Sequence, residues 1–451
     1  MMTLQEVVSL AEAGQLSRAN VNAKKGLKSA PNDPNWLNAA GVIAHRRGKL
    51  KEAEGYFRKS IVAGAQIPSP FRALVGLYNE NGRFSEALNV WDRAKPHAWR
   101  DAELGVSVAF AMYQKGEIDR VQDILNRYVS HIKDNSEAWN LLGVAQAGDG
   151  DYAAAIESYN HSLRLKPSPD THANLAYPYR KIGQIERAFQ HLDQALAMDE
   201  KHINALERKA IFQSEQGDYA DAIEAFELIC TLDPTYGNAR YHLAKLLPED
   251  ALPAFYEDTS IELSRLGKSD PNLPFFTLTR SIILGRLGRQ SEANKTLALA
   301  NVQFAKHRKF RPGEEHRKGE AVRMLWSSRA WSEILEKGAS DVAPIFILGT
   351  MRSGTTLLER MMSNHSALKG LGEVGLIDRF FRKSDGDIEP ENFENLRREY
   401  EVHACLETVR TVDKMPINMR YAGFLHALWP NAKLIHIQRN PNDVALSVFE
   451  R

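Results

Sequence analysis

The 451-residue chain has only two cysteines, Cys230 and Cys405, with no Cys-x-x-Cys pair and no Cys/His cluster. That poverty argues against a disulfide framework and a structural zinc site, and it fits a reducing compartment. Excess charge is missing as well, since 58 Lys plus Arg oppose 57 Asp plus Glu. The balance argues against a general nucleic-acid coat or an acidic tail protein and leaves room for a local basic site. No apolar run approaches the ~20 residues that a membrane helix needs; the most apolar stretch is Ala343–Leu348. The start, Met1-Met2-Thr3-Leu4-Gln5-Glu6-Val7-Val8, lacks a basic segment followed by an apolar one, so no signal peptide is read there. The expectation is a cytoplasmic protein without a membrane segment. At roughly 150 residues per domain it holds two or three domains, with cores large enough to fold without cross-links.

What the sequence does have is a repeat. Glycines stand at Gly14, Gly48, Gly82, Gly116, Gly150, Gly183 and Gly217, in steps of 34, 34, 34, 34, 33 and 34 residues. Five residues after each comes a small residue: Ala19, Ala53, Ala87, Val121, Ala155, Ala188 and Ala222. Nine residues after each comes a mostly bulky one: Ala23, Phe57, Trp91, Leu125, Tyr159, Leu192 and Phe226. A further unit, weaker in register, has Gly288, Ala293 and Leu297. Between the glycines the apolar spacing is helical. The glycine ends one helix because it takes the left-handed cap cheaply. The small residue is expected where the two helices of a hairpin approach closely, and the bulky one in the groove to the next unit. Pro167 and Pro234 are expected to close the second helices of their units.

This pattern resembles the tetratricopeptide repeat. The unit Trp139-Asn140-Leu141-Leu142-Gly143, then Gly150-Asp151-Tyr152, Ala155, Tyr159 and Pro167, matches its consensus closely. The repeat array is read over 1–307, as about eight to nine helical hairpins, with 237–270 degenerate because Pro248 and Pro253 interrupt it. Stacked units of this kind form a superhelix with a concave groove. Two readings stay open: the groove binds a peptide or protein partner, or the array is a rigid spacer or brace. Residues 308–340 read as a helical linker, with a helix from Ala321 to Leu335. The basic run Lys306-His307-Arg308-Lys309-Phe310-Arg311 reads as a solvated helix end or loop, the sharper alternative being a contact to an anionic substrate.

The composition changes at Ala343. Pro344-Ile345-Phe346-Ile347-Leu348-Gly349 reads as a buried parallel strand. Thr350-Met351-Arg352-Ser353-Gly354-Thr355-Thr356 follows, and then Leu357-Leu358-Glu359-Arg360-Met361-Met362 with helical spacing. Strand, Gly-rich turn and helix is the layout of a phosphate loop, in which backbone N–H groups and the helix N-terminus cradle an anion. Gly349 and Gly354 keep the glycine spacing of the nucleotide-hydrolase motif, but Thr355 stands in the place of its lysine. That disfavours a P-loop kinase or ATPase and points to a monophosphate group beside Arg352.

The stretch from Ile347 to Leu357 resembles the 5′-phosphosulfate loop of sulfotransferases, which use 3′-phosphoadenosine 5′-phosphosulfate (PAPS). Downstream, Asn431–Arg439 reads as another buried strand ending in Arg, and Asn440–Ser447 opens a helix. This resembles the family's 3′-phosphate site, with Arg439 and Ser447 in the matching positions. The order of domains, the pair Gly372-Glu373 and the run Asp413-Lys414-Met415-Pro416 are closest to the tyrosylprotein sulfotransferase-like branch and its fusions with tetratricopeptide repeats. The resemblance implies that Glu373 is the general base, that Lys414 supports the transferring sulfuryl group, and that Arg352 acts at the leaving phosphate. It further implies that Arg352, Ser353, Gly354, Thr355, Thr356, Arg439 and Ser447 bind PAPS, with no metal. The alternatives are that Glu373 is a solvated cap residue and that Lys414 pairs on the surface with Asp413 or Glu407. His365 and His436 read as packing or hydrogen-bonded residues.

The fold class is therefore multidomain: an all-α repeat superhelix followed by an α/β, P-loop-like parallel-sheet sulfotransferase domain. Relatives of the resembled branch continue beyond Arg451. The expectation is that 341–451 holds the N-terminal part of that domain, with three strands of a doubly wound sheet. The function expected is PAPS-dependent sulfuryl transfer to an acceptor hydroxyl of a protein, sugar or small alcohol, with the repeats recruiting or orienting the acceptor and no nucleic-acid partner. The competing reading is a repeat scaffold carrying an incomplete, inactive sulfotransferase domain.

Overall fold

The computed structural model of the chain describes residues 2–65, 67–98, 101–307, 317, 319–320, 322–324, 342–383, 390–404 and 410–449. In it all eight register glycines turn left-handed, with φ from 67° at Gly82 to 96° at Gly217. The residue after each glycine reaches back five positions. Lys49 N–H donates to Ala44 O at 2.9 Å, Asp151 N–H to Gln146 O at 2.9 Å and Asp218 N–H to Gln213 O at 3.0 Å. That closure stops one helix and starts the next.

The chain divides into two units, Met1–Met198 and Asp199–Arg451. The first is built of helical hairpins such as Pro34–Arg46 with Leu50–Val62 and Ser136–Gly148 with Tyr152–Leu165. The small residues five after the glycines are buried throughout, from Ala19 to Ala188. Two of the bulky residues, Phe57 and Tyr159, also meet the first helix of their own hairpin. A Cβ added to Gly41 would lie 2.5 Å from the Phe57 ring, and one added to Gly143 would lie 2.7 Å from Tyr159. These rings press on the first helix of their own hairpin, because a glycine there lets an aromatic face reach the backbone. The helix ending at Leu165 stops two residues before Pro167, as expected.

The second unit opens with three more hairpins, Ile203–Gln216 with Tyr219–Leu232, Gly237–Leu246 with Leu252–Arg265, and Leu273–Arg286 with Gln290–His307. The two prolines of the degenerate stretch do not break it. Pro248 precedes a one-turn 3-10 helix, Glu249–Ala251, and Pro253 lies in the first turn of the next helix, where a missing N–H costs nothing. The basic run begins at the helix end Lys306-His307; its remainder lies outside the described residues, as does most of the helix read over Ala321–Leu335.

Beyond residue 342 the same unit contains, among the described residues, four parallel strands: β1 (Ile345–Gly349), β2 (Leu368–Gly372), β3 (Arg410–Asp413) and β4 (Lys433–Ile437), in the order β2-β3-β1-β4. Three strands were expected. Only β1 and β4 were placed by residue; β2 and β3, Leu-Lys-Gly-Leu-Gly and Arg-Thr-Val-Asp, are too short and too mixed to show in sequence. Strand β1 is buried along its whole length, as read. Strand β4 is not: Lys433, Leu434 and His436 are exposed, because among the described residues β4 pairs with β1 alone and forms a sheet edge. One side of the sheet packs on an aromatic cluster of Phe346, Tyr400 and Trp429, all fully buried, with the Tyr400 and Trp429 rings 4.8 Å apart. Trp429 caps the helix Ala422–Leu428 that leads to β4.

Candidate functional site

The strand order places the site. From β1 the chain crosses to β2 at the far edge and returns to β3, whereas β4 lies on the other side of β1. Ligands of such sheets bind at this reversal, beyond the carboxyl ends of the strands. Gly349 at the end of β1 is in register with Ile437 at the end of β4. The loops and helices that follow these two strands carry every residue expected to meet the nucleotide.

The first loop is tight. A Cβ on Gly349 would lie 2.7 Å from the Ile437 carbonyl oxygen and 3.1 Å from Ser353 Oγ, so only glycine lets β1 leave this close to β4. Ser353 is buried, and its hydroxyl has no hydrogen-bond partner among the described residues. Gly354, at φ 104°, opens the helix Thr355–Ser363. Thr355 is buried in the first turn, and Thr356 and Arg352 are exposed. The first-turn N–H groups of a helix have no intrahelical acceptor, and they face the anion-binding side of such a loop.

The two segments expected to bind a nucleotide meet across 95 residues of chain, where Arg352 Nε donates to Ser447 Oγ at 3.1 Å. Arg439 Nη1 donates to the Arg352 carbonyl oxygen at 3.4 Å. Ser447 lies on the helix Pro441–Phe449 that follows β4. Two guanidinium groups, the four hydroxyls of Ser353, Thr355, Thr356 and Ser447, and a helix N-terminus form a donor set suited to phosphate. The Ser353 hydroxyl, buried and without a partner among the described residues, leaves a donor at this place that a phosphate oxygen could accept.

The second half of the site forms at the ends of β2 and β3. Lys414 Nζ contacts Glu373 Oε1 at 2.6 Å. The Lys414 side chain is only 7% exposed, and that of Glu373 is 49% exposed. The alternative of a surface pair with Asp413 therefore fails: Lys414 is buried and turned to Glu373, and Glu407 lies outside the described residues. A left-handed Gly372, at φ 71°, ends β2 and turns the chain into Glu373, while Lys414 N–H donates to Gly372 O at 2.9 Å. His365 Nδ1 accepts from Ala367 N–H at 3.1 Å, a turn contact as read. His436 is exposed on β4.

Three residues of this region were not singled out from sequence. Glu359, buried on the helix Thr355–Ser363, accepts the Gly372 N–H through Oε1 at 2.6 Å. It ties the phosphate-loop helix to the turn that carries Glu373. Burial pushes its carboxyl above the ordinary range, and the Gly372 N–H pulls it partly back. Asp413, fully buried beside Lys414, accepts from Tyr400 OH at 3.1 Å. Burial raises its carboxyl to about 8, against the opposing pull of Tyr400 and of the Val374 N–H. Asn418, in the 3-10 segment Pro416–Tyr421, is fully buried, with neither side-chain polar atom bonded among the described residues. The signal available in the sequence was the short run from Asp413 to Asn418, whose polar residues sit among apolar ones.

Comparison with known proteins finds two kinds of family match along the chain. A sulfotransferase family model matches residues 344–407 and 391–450. Tetratricopeptide repeat models match 4–68, 174–237 and 136–169. Among curated relatives, an uncharacterized protein of Aquifex aeolicus is 30% identical over 135 residues, 26% of this chain and 18% of that one. A peroxisomal targeting signal receptor of Eremothecium gossypii is 31% identical over 108 residues, 24% of this chain and 19% of that one. The chain thus spans less than a fifth of the length of either. Among solved structures, YrrB, described as a tetratricopeptide repeat protein with an unusual peptide-binding site, is 17% identical with a TM-score of 0.38, covering 42% of this chain and 97% of that one. The chain carries tetratricopeptide repeats in its N-terminal part and a sulfotransferase-family segment in its C-terminal part.

Proposed function

We propose that the C-terminal segment transfers a sulfuryl group from PAPS to an acceptor hydroxyl, and that the repeats bind or orient the acceptor or a protein partner. The observation that carries this reading is the joining of the Arg352 loop to Ser447 at the same sheet end where Glu373 and Lys414 pair. PAPS supplies an activated sulfuryl group whose leaving group is a phosphate. Arg352, Ser353, Gly354, Thr355 and Thr356 would hold the 5′-phosphate, and Arg439 with Ser447 the 3′-phosphate. Charge developing on a leaving phosphate is stabilised best by donors fixed beforehand, as in phosphoryl transfer. Glu373 takes the proton from the acceptor hydroxyl. Lys414 holds Glu373 in place before the acceptor arrives and offers its ammonium to the transferring group.

The match to a sulfotransferase family model supports the reaction class. Among the described residues no group of three or more His, Cys, Asp or Glu side chains is arranged to hold a metal, and none of the assigned roles calls for one. No helix is long and apolar enough to cross a membrane among the described residues.

Calorimetric titration with 3′,5′-adenosine bisphosphate, the desulfated product, tests the nucleotide half. Binding that Arg439→Ala abolishes supports the reading. A folded protein that does not bind returns it to the competing one, a repeat scaffold with an inactive sulfotransferase segment.

A further inference from the structure

The sequence resemblance divides the phosphate ligands between two sites, Arg352 at the 5′ end of the nucleotide and Arg439 with Ser447 at the 3′ end. The geometry does not keep them apart. Arg352 Nε lies 3.1 Å from Ser447 Oγ, while Arg439 Nη1 donates to the carbonyl oxygen of Arg352 itself. We propose that Arg352 is also a ligand of the 3′-phosphate, and that it sets the preference of this site for adenine nucleotides carrying that phosphate. The inference rests on the PAPS reading above.

Three features support it. The first is reach: a hydroxyl within hydrogen-bond distance of a guanidinium lets one phosphate oxygen touch both. The bond to Ser447 uses only Nε and leaves the terminal nitrogens of Arg352 as further donors. The second is backbone conformation. Arg352 is the non-glycine residue with a left-handed φ, 68°, among the described residues. Non-glycine residues are held there where the surroundings over-determine them, which happens most at functional sites. That turn aims the side chain across to the helix after β4. The third is charge. Among the described residues no carboxylate pairs with Arg352, and Arg439 has only Asp443 at 3.8 Å. Two guanidinium groups with so little counter-charge fit a dianion and match the fork geometry of arginine toward phosphate.

The test compares two nucleotides. Affinities of the full chain for 3′,5′-adenosine bisphosphate and for adenosine 5′-monophosphate are measured by calorimetry, for wild type, Arg352→Ala and Arg352→Gly. Glycine accepts the left-handed φ without strain, so it separates loss of the side chain from distortion of the loop. The expectation is that wild type prefers the bisphosphate and that both variants lose roughly 10-fold or more of that preference, the scale of one hydrogen bond to a charged group. If both affinities fall by the same factor, Arg352 reads only the 5′-phosphate and this inference is overturned while the PAPS reading stands. If wild type binds neither nucleotide, both are overturned.

Discussion

Lys414 reaches Glu373 at 2.6 Å although 41 residues separate them, and the lysine is buried while the glutamate is half exposed. The contact is made by adjacent strands: β2 ends in Gly372, β3 ends in Asp413, and the next residue of each forms the pair. The proposed base is thereby fixed at the mouth of the site, its charge met by an ammonium set deeper. Glu373→Gln is expected to lower sulfuryl transfer by roughly 10²–10⁴-fold and leave bisphosphate binding intact. Radiolabelled transfer and calorimetry on the same preparation check both halves. Loss of nucleotide binding would make Glu373 a structural residue.

Glu359 offers a second, separable prediction. Its carboxylate is the acceptor for the Gly372 N–H. Alanine would leave that donor unsatisfied, at a cost of about 1–3 kcal/mol. Glutamine keeps an acceptor oxygen in the same place. Urea denaturation should therefore show Glu359→Ala clearly destabilised and Glu359→Gln much less so. Equal losses would mean that the charge of Glu359, not its acceptor role, matters.

The repeats were legible because one physical requirement, a left-handed helix stop, recurs at fixed spacing and only glycine meets it cheaply. Strand β1 was legible as an unbroken apolar run. Strands β2 and β3 were not, since β2 mixes Lys369 with two glycines and β3 has four residues and opens on Arg410. In sequence Glu359 looks like any charged residue of a helix; only the approach of β2 reveals its partner. Here Gly370 is the enabling residue, since a Cβ on it would meet Ser363 Oγ and Glu359 Oε1. The motifs around Arg352 and Ser447 could each be read locally, but spacing along the chain does not say that the two side chains touch.

Gly349 and Gly354 should respond differently to alanine. At Gly349 the new methyl meets the Ile437 carbonyl, which is backbone and cannot step aside without opening β1 from β4. Gly349→Ala is expected to cost about 1–3 kcal/mol and to weaken bisphosphate binding, because the Arg439 loop starts at that carbonyl. At Gly354 there is open space and only the left-handed φ resists, at about 1–2 kcal/mol. Denaturation midpoints and calorimetric affinities of the two variants check this. Unchanged binding in Gly349→Ala would show that the strand ends can separate harmlessly.

Asp413 makes stability depend on pH. Its folded-state value, about 8, lies far above the ordinary carboxylate value of 3.8, because burial favours the neutral form. Between those values the folded state keeps a proton that the unfolded state gives up. Stability from this group is therefore full below about pH 4 and is lost as pH rises towards 8. Glu359 adds in the same direction. Asp413→Asn removes the titration, so its urea midpoints should fall less between pH 4 and 8 than those of the wild type. Parallel profiles would show that Asp413 is ionised and compensated in the fold.

In the repeats, the packing of aromatic rings on glycine predicts opposite outcomes for the same substitution. Gly143→Ala puts a methyl 2.7 Å from the face of Tyr159, a ring that is itself fully buried. Neither can yield within the hairpin, so overpacking should cost about 1–3 kcal/mol. Gly76 lies inside the helix Ser69–Glu80 with nothing within 4 Å of its added Cβ. There alanine only restricts the unfolded chain and should stabilise by about 0.4–1 kcal/mol. Tyr159→Ala removes the ring and should cost about 3–5 kcal/mol, by analogy with other large aromatic truncations in a core. In the double variant Gly143→Ala, Tyr159→Ala the methyl enters space that the ring has left, so its loss should be smaller than the sum of the two single losses. Additive losses in thermal denaturation would show that the ring does not rest on the glycine in solution.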